Sequence, residues 1–229
     1  RLRVRIGAKR GDGHLAQVEE WIERAPGRVD PPCAHFGDCG GCAAQHLGPV
    51  PYAEWKRELV VEALARRGLA EAPVAQLLLT APGGRRRAEF AAQRTQTGVA
   101  LGFHARRSGQ ICALTSCLVL RPPLLVLLPA LRVALDAVIS KHGGADVLLT
   151  ETASGVDLLL TAPTLSNVAR IALAKLAESS DLARVSWRAA PGALAEPVAQ
   201  RRVPVVMLGG VAVAPPPGAF LQASAEGEA

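Results

Sequence analysis

The chain has 229 residues, of which 49% are hydrophobic, and a net charge of +6. That hydrophobic share supports a sizeable core and excludes a disordered chain. With only 3% aromatic residues, the core must be mostly Ala, Leu and Val. The basic balance suits a polyanionic partner, and equally a soluble protein held away from its isoelectric point. The longest apolar stretch, 124–139, is broken by Pro129, Arg132 and Asp136, so no membrane span is expected. The opening Arg1–Leu2–Arg3–Val4 is not a secretory h-region. Five cysteines, three of them clustered, suit a thiolate-bound metal in a reducing cytoplasm better than a secreted disulfide framework.

In chain order, Leu2, Val4 and Ile6 alternate with basic residues as in a half-buried strand. Gly11–Asp12–Gly13 is a turn, and 14–22 is a second strand. Residues 1–31 thus suit the end of a small OB-like barrel. The cysteine loop follows. Pro51 then sits near a helix start and Gly68 at its end, with Tyr52, Trp55, Leu59, Ala63 and Leu64 at helical spacing and Trp55 expected in the core. A strand is expected over 74–80, and Arg85–Arg86–Arg87 opens a meander of strands at 89–95, 99–104 and 110–114 that delivers Cys117. Next come a helix over 124–141, a hairpin of 145–151 with 156–162, and a helix over 165–177. Strands at 184–187 and 203–208 flank a Pro/Ala-rich loop, a short strand follows at 211–213, and Pro215–Gly218 is a rigid connector. The architecture expected is α+β, an antiparallel sheet with two or three covering helices.

Cys33, Cys39 and Cys42 are spaced C-x5-C-x2-C, and Cys117 lies far downstream. Gly40 and Gly41 let the loop fold tightly enough for two sulfurs to face one point. Four thiolates suit a [4Fe–4S] cluster. The first three with His46 suit tetrahedral zinc equally well, and spacing alone leaves both open. Cys112 reads most simply as a buried apolar residue. Arg85, Arg86, Arg87, Arg94, Arg106 and Arg107 crowd the meander, either as a phosphate-binding face or as a solvated surface. No Gly-rich nucleotide loop and no supported nucleophilic triad is found.

From Pro31 to Leu47, PPCAHFGDCGGCAAQHL, the sequence resembles the iron–sulfur class of bacterial RNA uracil-5 methyltransferases, which act on 23S ribosomal RNA. Tyr52, Trp55–Lys56, Leu101–Gly102–Phe103, Cys117 and Pro217–Gly218–Ala219–Phe220–Leu221–Gln222 continue the match in order. The resemblance implies a [4Fe–4S] cluster on Cys33, Cys39, Cys42 and Cys117. It implies that residues 1–31 end an OB-like TRAM domain, that 32–214 form a central iron–sulfur and RNA-binding domain, and that 215–229 lead into an S-adenosylmethionine-dependent methyltransferase domain. A Rossmann-like catalytic domain, with nucleophile and base, is then expected after the chain end. Gln222 is expected to contact S-adenosylmethionine, and Arg85, Arg86, Arg87 and Phe220 to contact RNA. Gly84 replaces an aromatic usual in the family, which removes a stacking group there. A cytoplasmic monomer acting on 23S rRNA is expected. The alternatives are a stand-alone RNA-binding metalloprotein without catalysis and an electron-transfer iron–sulfur protein.

Overall fold

The computed structural model describes residues 1–228 and divides into two compact units. The first comprises residues 1–34 and 44–79; the second comprises 35–43 and everything from residue 80.

In the first unit, β1 (Leu2–Arg10) and β2 (Gly13–Trp21) form an antiparallel hairpin. Both strands are exposed along their whole length. The half-buried face expected from the alternation is therefore not formed, because a two-stranded ribbon has no opposing layer to bury it. Helix α1 (Pro49–Ala65) starts on proline, whose fixed φ and missing N–H suit the first turn. Its entry is fastened by Gly48 N–H to the Gly27 carbonyl (2.8 Å) and Val29 N–H to the His46 carbonyl (3.0 Å). No residue of α1 is buried, and Trp55 is exposed rather than in a core. The strand expected over 74–80 does not form: the segment has no ladder partner, and Leu78 and Leu79 are exposed. Arg57 instead donates twice to the Val74 carbonyl, at 3.2 and 3.0 Å.

The second unit is built on a seven-stranded sheet. Its strands are β3 (Arg87–Thr95), β4 (Gly98–His104), β5 (Ile111–Ala113), β6 (Gly144–Thr152), β7 (Gly155–Thr161), β8 (Arg184–Arg188) and β9 (Glu196–Gln200). Their order is β5-β4-β3-β6-β7-β8-β9. The sheet is mixed, not antiparallel throughout: β7 and β8 run parallel, joined by α3 (Asn167–Ser179). A parallel pair requires such a crossover, whereas a hairpin cannot supply it. Strand β9 lies in the stretch expected to be loop; its Pro197 is tolerated because the strand is at the sheet edge. A hairpin of β10 (Val206–Leu208) and β11 (Val211–Val213) completes the strands, β10 being shorter than expected.

Helix α2 (Pro122–Asp136) ends five residues before the expected Lys141. Leu124, Leu127, Leu128, Leu131 and Leu135 of α2 recur at helical spacing and are buried. Each such leucine contributes about 1.5–3 kcal/mol. Helix α3 adds Leu173 and Leu176, and starts on Ser166, whose Oγ accepts the Ala169 N–H at 3.2 Å. These helices meet Phe90, Leu101, Leu149, Leu158 and Leu160 of the sheet in one apolar cluster. Leu159 is buried outside that cluster, where the 215–218 connector covers it. Gly218 is at φ +77°, and a Cβ there would come within 2.7 Å of Leu159 Cδ2. No helix of the described residues is long and apolar enough to cross a membrane.

Candidate nucleic-acid interface

Residues 83–85 run alongside 118–121. Gly83 N–H donates to the Leu118 carbonyl (2.8 Å), Arg85 N–H to Val119 (2.9 Å) and Arg121 N–H to Arg85 (2.9 Å). The chain then enters β3. Extended backbone sends successive side chains to opposite sides. Arg85 and Arg87 accordingly line one concavity of about 390 Å³, together with Glu89, Phe103, Phe220 and Gln222. Arg85 is exposed. Arg87 is half-buried, and its Nε is buried with no hydrogen-bond partner. A guanidinium N–H held out of water without an acceptor is poised for an anionic or carbonyl oxygen.

The third expected RNA arginine, Arg86, faces away. It pairs with Glu228, and its Nε donates to the Gln222 carbonyl at 3.5 Å. It helps line a second concavity of about 580 Å³ with Arg121, Glu151, Glu226 and Glu228. Carboxylates outnumber guanidiniums there, so the larger concavity suits phosphate poorly. The hydrogen bond that the Arg121 guanidinium donates to Glu151 holds it above its ordinary pKa, aided by the same carboxylate's charge. Arg94 is also engaged within the fold, pairing with Asp136 and donating to the Ile139 carbonyl beyond the end of α2 (2.8 Å). Arg106 and Arg107 remain exposed at their turn.

Phe220 and Gln222 belong to a strap that follows the connector. Arg184 Nη2 donates to the Pro215 carbonyl (3.0 Å), and Arg86 N–H donates to the Ala223 carbonyl (2.7 Å). Leu221 is buried between two exposed neighbours; Phe220 on one side is 78% exposed. Aromatic rings flanked by arginines are a combination that single-strand nucleic-acid binders use, the ring for bases and the cations for phosphates.

The cysteine loop is tied to the sheet nearby. Gly40 N–H donates to the His104 carbonyl (2.9 Å), and Arg106 N–H to Asp38 (2.9 Å). Gly41 N–H donates to Cys39 Sγ at 3.4 Å. A Cβ on Gly41 would meet the Phe103 ring at 3.1 Å and Cys39 Sγ at 3.4 Å, so a side chain there would press on both. The His35 ring contacts Thr115 Oγ1 (3.1 Å) and Cys112 Sγ (3.8 Å). Cys112 packs against the apolar core as expected, though it is half-buried and also meets the His35 ring. Cys42 and Cys117 are half-buried, and Cys33, also half-buried, belongs to the first unit. No disulfide is present among the described residues. Nor do three or more His, Cys, Asp or Glu side chains among them converge to hold a metal ion. Thiol donors, a backbone N–H on sulfur and a glycine cradle fit a thiolate-held group in chemistry and in local backbone.

The arginine cluster of the sequence pointed to Arg85 and Arg87 and the family resemblance to Phe220 and Gln222, and the fold gathers them in one place. Sequence reasoning missed Glu89 as a neighbour of that cavity. It also missed Glu228, which holds the strap, and Arg184 and Asp157, which hold the connector before it; partners so far apart in the chain leave no periodic signal.

These features define an α+β module with a concavity lined by two arginines and an exposed phenylalanine. No family model matches the chain. It is 39% identical over 218 residues to a protein of Brucella suis named an uncharacterized RNA methyltransferase, covering 95% of this chain and 51% of that protein. A Rhizobium meliloti protein of the same description is 34% identical over 232 residues, covering 98% and 54%. The 23S rRNA (uracil(1939)-C(5))-methyltransferase RlmD of Halomonas elongata is 42% identical over 135 residues, covering 58% and 28%. The chain is therefore a homologue of bacterial RNA methyltransferases, among them the 23S rRNA uracil-C5 enzymes. It spans about half the length of the first two relatives.

Proposed function

We propose that the chain is the RNA-binding, cluster-bearing portion of an S-adenosylmethionine-dependent methyltransferase acting on C5 of a uridine in 23S rRNA. The observation that carries the reading is the convergence of Arg85, Arg87, Phe220 and Gln222 on one concavity. The names of the relatives support methylation of RNA. In this reading Arg85 and Arg87 bind phosphate, Phe220 stacks on a base and Gln222 orients the cofactor. S-adenosylmethionine supplies an electrophilic methyl group when bound. No residue of these 229 is assigned as nucleophile or base, so the chain alone is expected to bind RNA without methylating it. Cys33, Cys39, Cys42 and Cys117 would hold a [4Fe–4S] cluster. Their support is the number and kind of donors, and four thiolates leave a structural role because each iron is already ligated. A cytoplasmic setting follows from the need for reduced thiols.

The test is equilibrium binding of a single-stranded 23S rRNA segment as a function of salt. Arg85→Ala and Arg87→Ala should each lower the log–log salt slope by about 0.7, the value for one single-strand phosphate contact. Phe220→Ala should weaken binding by about 1–3 kcal/mol with the slope unchanged. Binding that ignores salt, or variants that bind like the parent, would overturn the reading.

A further inference from the structure

Arg86 and Glu228 lie 142 residues apart, yet their side chains pair and are only 13% and 17% exposed. Exposed ion pairs contribute little, but a desolvated pair leaves an uncompensated charge when one partner is lost. Arg86 touches the strap at three points: Glu228 through the guanidinium, the Gln222 carbonyl through Nε, and the Ala223 carbonyl through its own N–H. On its other side the Glu151 N–H, from β6, donates to the Arg86 carbonyl at 2.8 Å. One residue thus connects the rigid centre of the sheet to the segment carrying Phe220 and Gln222. Because side chains alternate, the same backbone turns Arg85 and Arg87 to the opposite side.

We infer that Arg86 is a positioning residue: with Glu228 it clasps the 219–228 strap to the sheet and sets Phe220 and Gln222 across from Arg85 and Arg87, without itself binding phosphate. The inference rests on the RNA-binding reading of the concavity. It divides the Arg85–Arg86–Arg87 run into two ligand-facing residues and one that holds the opposite wall.

The experiment compares the parent chain with Arg86→Glu, Glu228→Arg, the double exchange, Arg86→Lys and the neutral Arg86→Met. Two quantities are measured: amide hydrogen exchange over 221–228, and affinity for the single-stranded rRNA segment against salt. Exchange at Leu158 and Val185, in the central strands, reports that each variant is folded. Each charge reversal should speed exchange in the strap and weaken RNA binding, each by at least about tenfold. The double exchange should restore both, and Arg86→Lys should fall between. Arg86→Met should bind more weakly with the parent's salt slope. A slope lowered by about 0.7 with normal strap exchange would make Arg86 a phosphate contact and overturn the inference. So would unchanged exchange in both single reversals, or no recovery in the double. If the parent binds no RNA, the RNA reading fails, and the exchange data alone still decide the clasp.

Discussion

The connector that leads to the strap depends on a buried ion pair whose removal has a calculable effect. Asp157 in β7 is paired directly with Arg184 in β8. The guanidinium donates to both carboxylate oxygens, at 2.9 and 2.8 Å, and to the Pro215 carbonyl at 3.0 Å. The two side chains are 8% and 12% exposed. Asp157→Ala would strand the Arg184 charge in the sheet, which costs about 3–5 kcal/mol. At roughly 2–4 °C per kcal/mol for a unit of this size, the melting temperature should fall by about 6–20 °C. Removing both charges with Asp157→Leu and Arg184→Met should cost far less. No charge is then left unpaired, and only the tether to Pro215 is lost, about 1 kcal/mol. Trp187 lies in β8 and donates to the Ala162 carbonyl at 2.9 Å, so its fluorescence follows this region. Replacing the exposed Trp21 and Trp55 by Phe makes it the sole reporter. Urea unfolding of the three proteins then gives the comparison. A single variant within about 1 kcal/mol of the parent, or a double variant as unstable as the single, would refute the reasoning.

Two further predictions concern the thiols and pH. The chain purified without oxygen should carry about four irons and four acid-labile sulfides, and Cys117→Ser should lose both; about one zinc without sulfide, or full iron in the variant, would count against the cluster. Hydrogen bonding from Arg202 holds the exposed Asp181 carboxyl below its ordinary value of 3.8, with the charges of Arg202 and Arg201 adding to it against a smaller desolvation. A lowered folded-state pKa stabilises above the ordinary value and is lost as pH falls through the folded one. Asp181→Asn should therefore melt below the parent at pH 7, with the gap closing in acid. Asn also tolerates the φ of +52° at this position. A gap that persists in acid would refute the assignment.

The elements legible in the sequence are those marked by a local signal, a period, a turn or a proline start. The leucine spacing of α2, the hairpin of β6 with β7, and the proline start of α1 all correspond to observed elements. The misreadings are of pairings that no local pattern encodes. Nothing in residues 184–188 states that the strand runs parallel to β7; that follows from the α3 crossover. Pro197 argued against a strand that its edge position permits. The apolar stretch 74–80 has strand composition but no partner edge, and is held through Arg57 instead. At the site, spacing and motif pointed to residue types, while the fold decided their directions. Arg85, Arg86 and Arg87 look equivalent as composition, and only the two-residue period of extended chain separates them.

The same geometry couples the cysteine loop to the concavity. Phe103 lines the concavity, stacks on Phe90 with ring centres 5.1 Å apart, and forms one wall of the Gly41 nest beside Cys39 Sγ. On the adjoining segment, His35 from the loop contacts Thr115, two residues before Cys117. The next residue after Cys117, Leu118, accepts the Gly83 N–H and begins the ladder that carries Arg85. Two independent routes thus run from the thiols to the residues proposed to bind RNA, one through an aromatic ring and one through backbone hydrogen bonds. Packed side chains have few alternative arrangements, so displacing the Gly41 nest would move the cavity floor. In the proposed reading, the thiols reach the RNA-binding residues through these two routes, Phe103 and the ladder that carries Arg85.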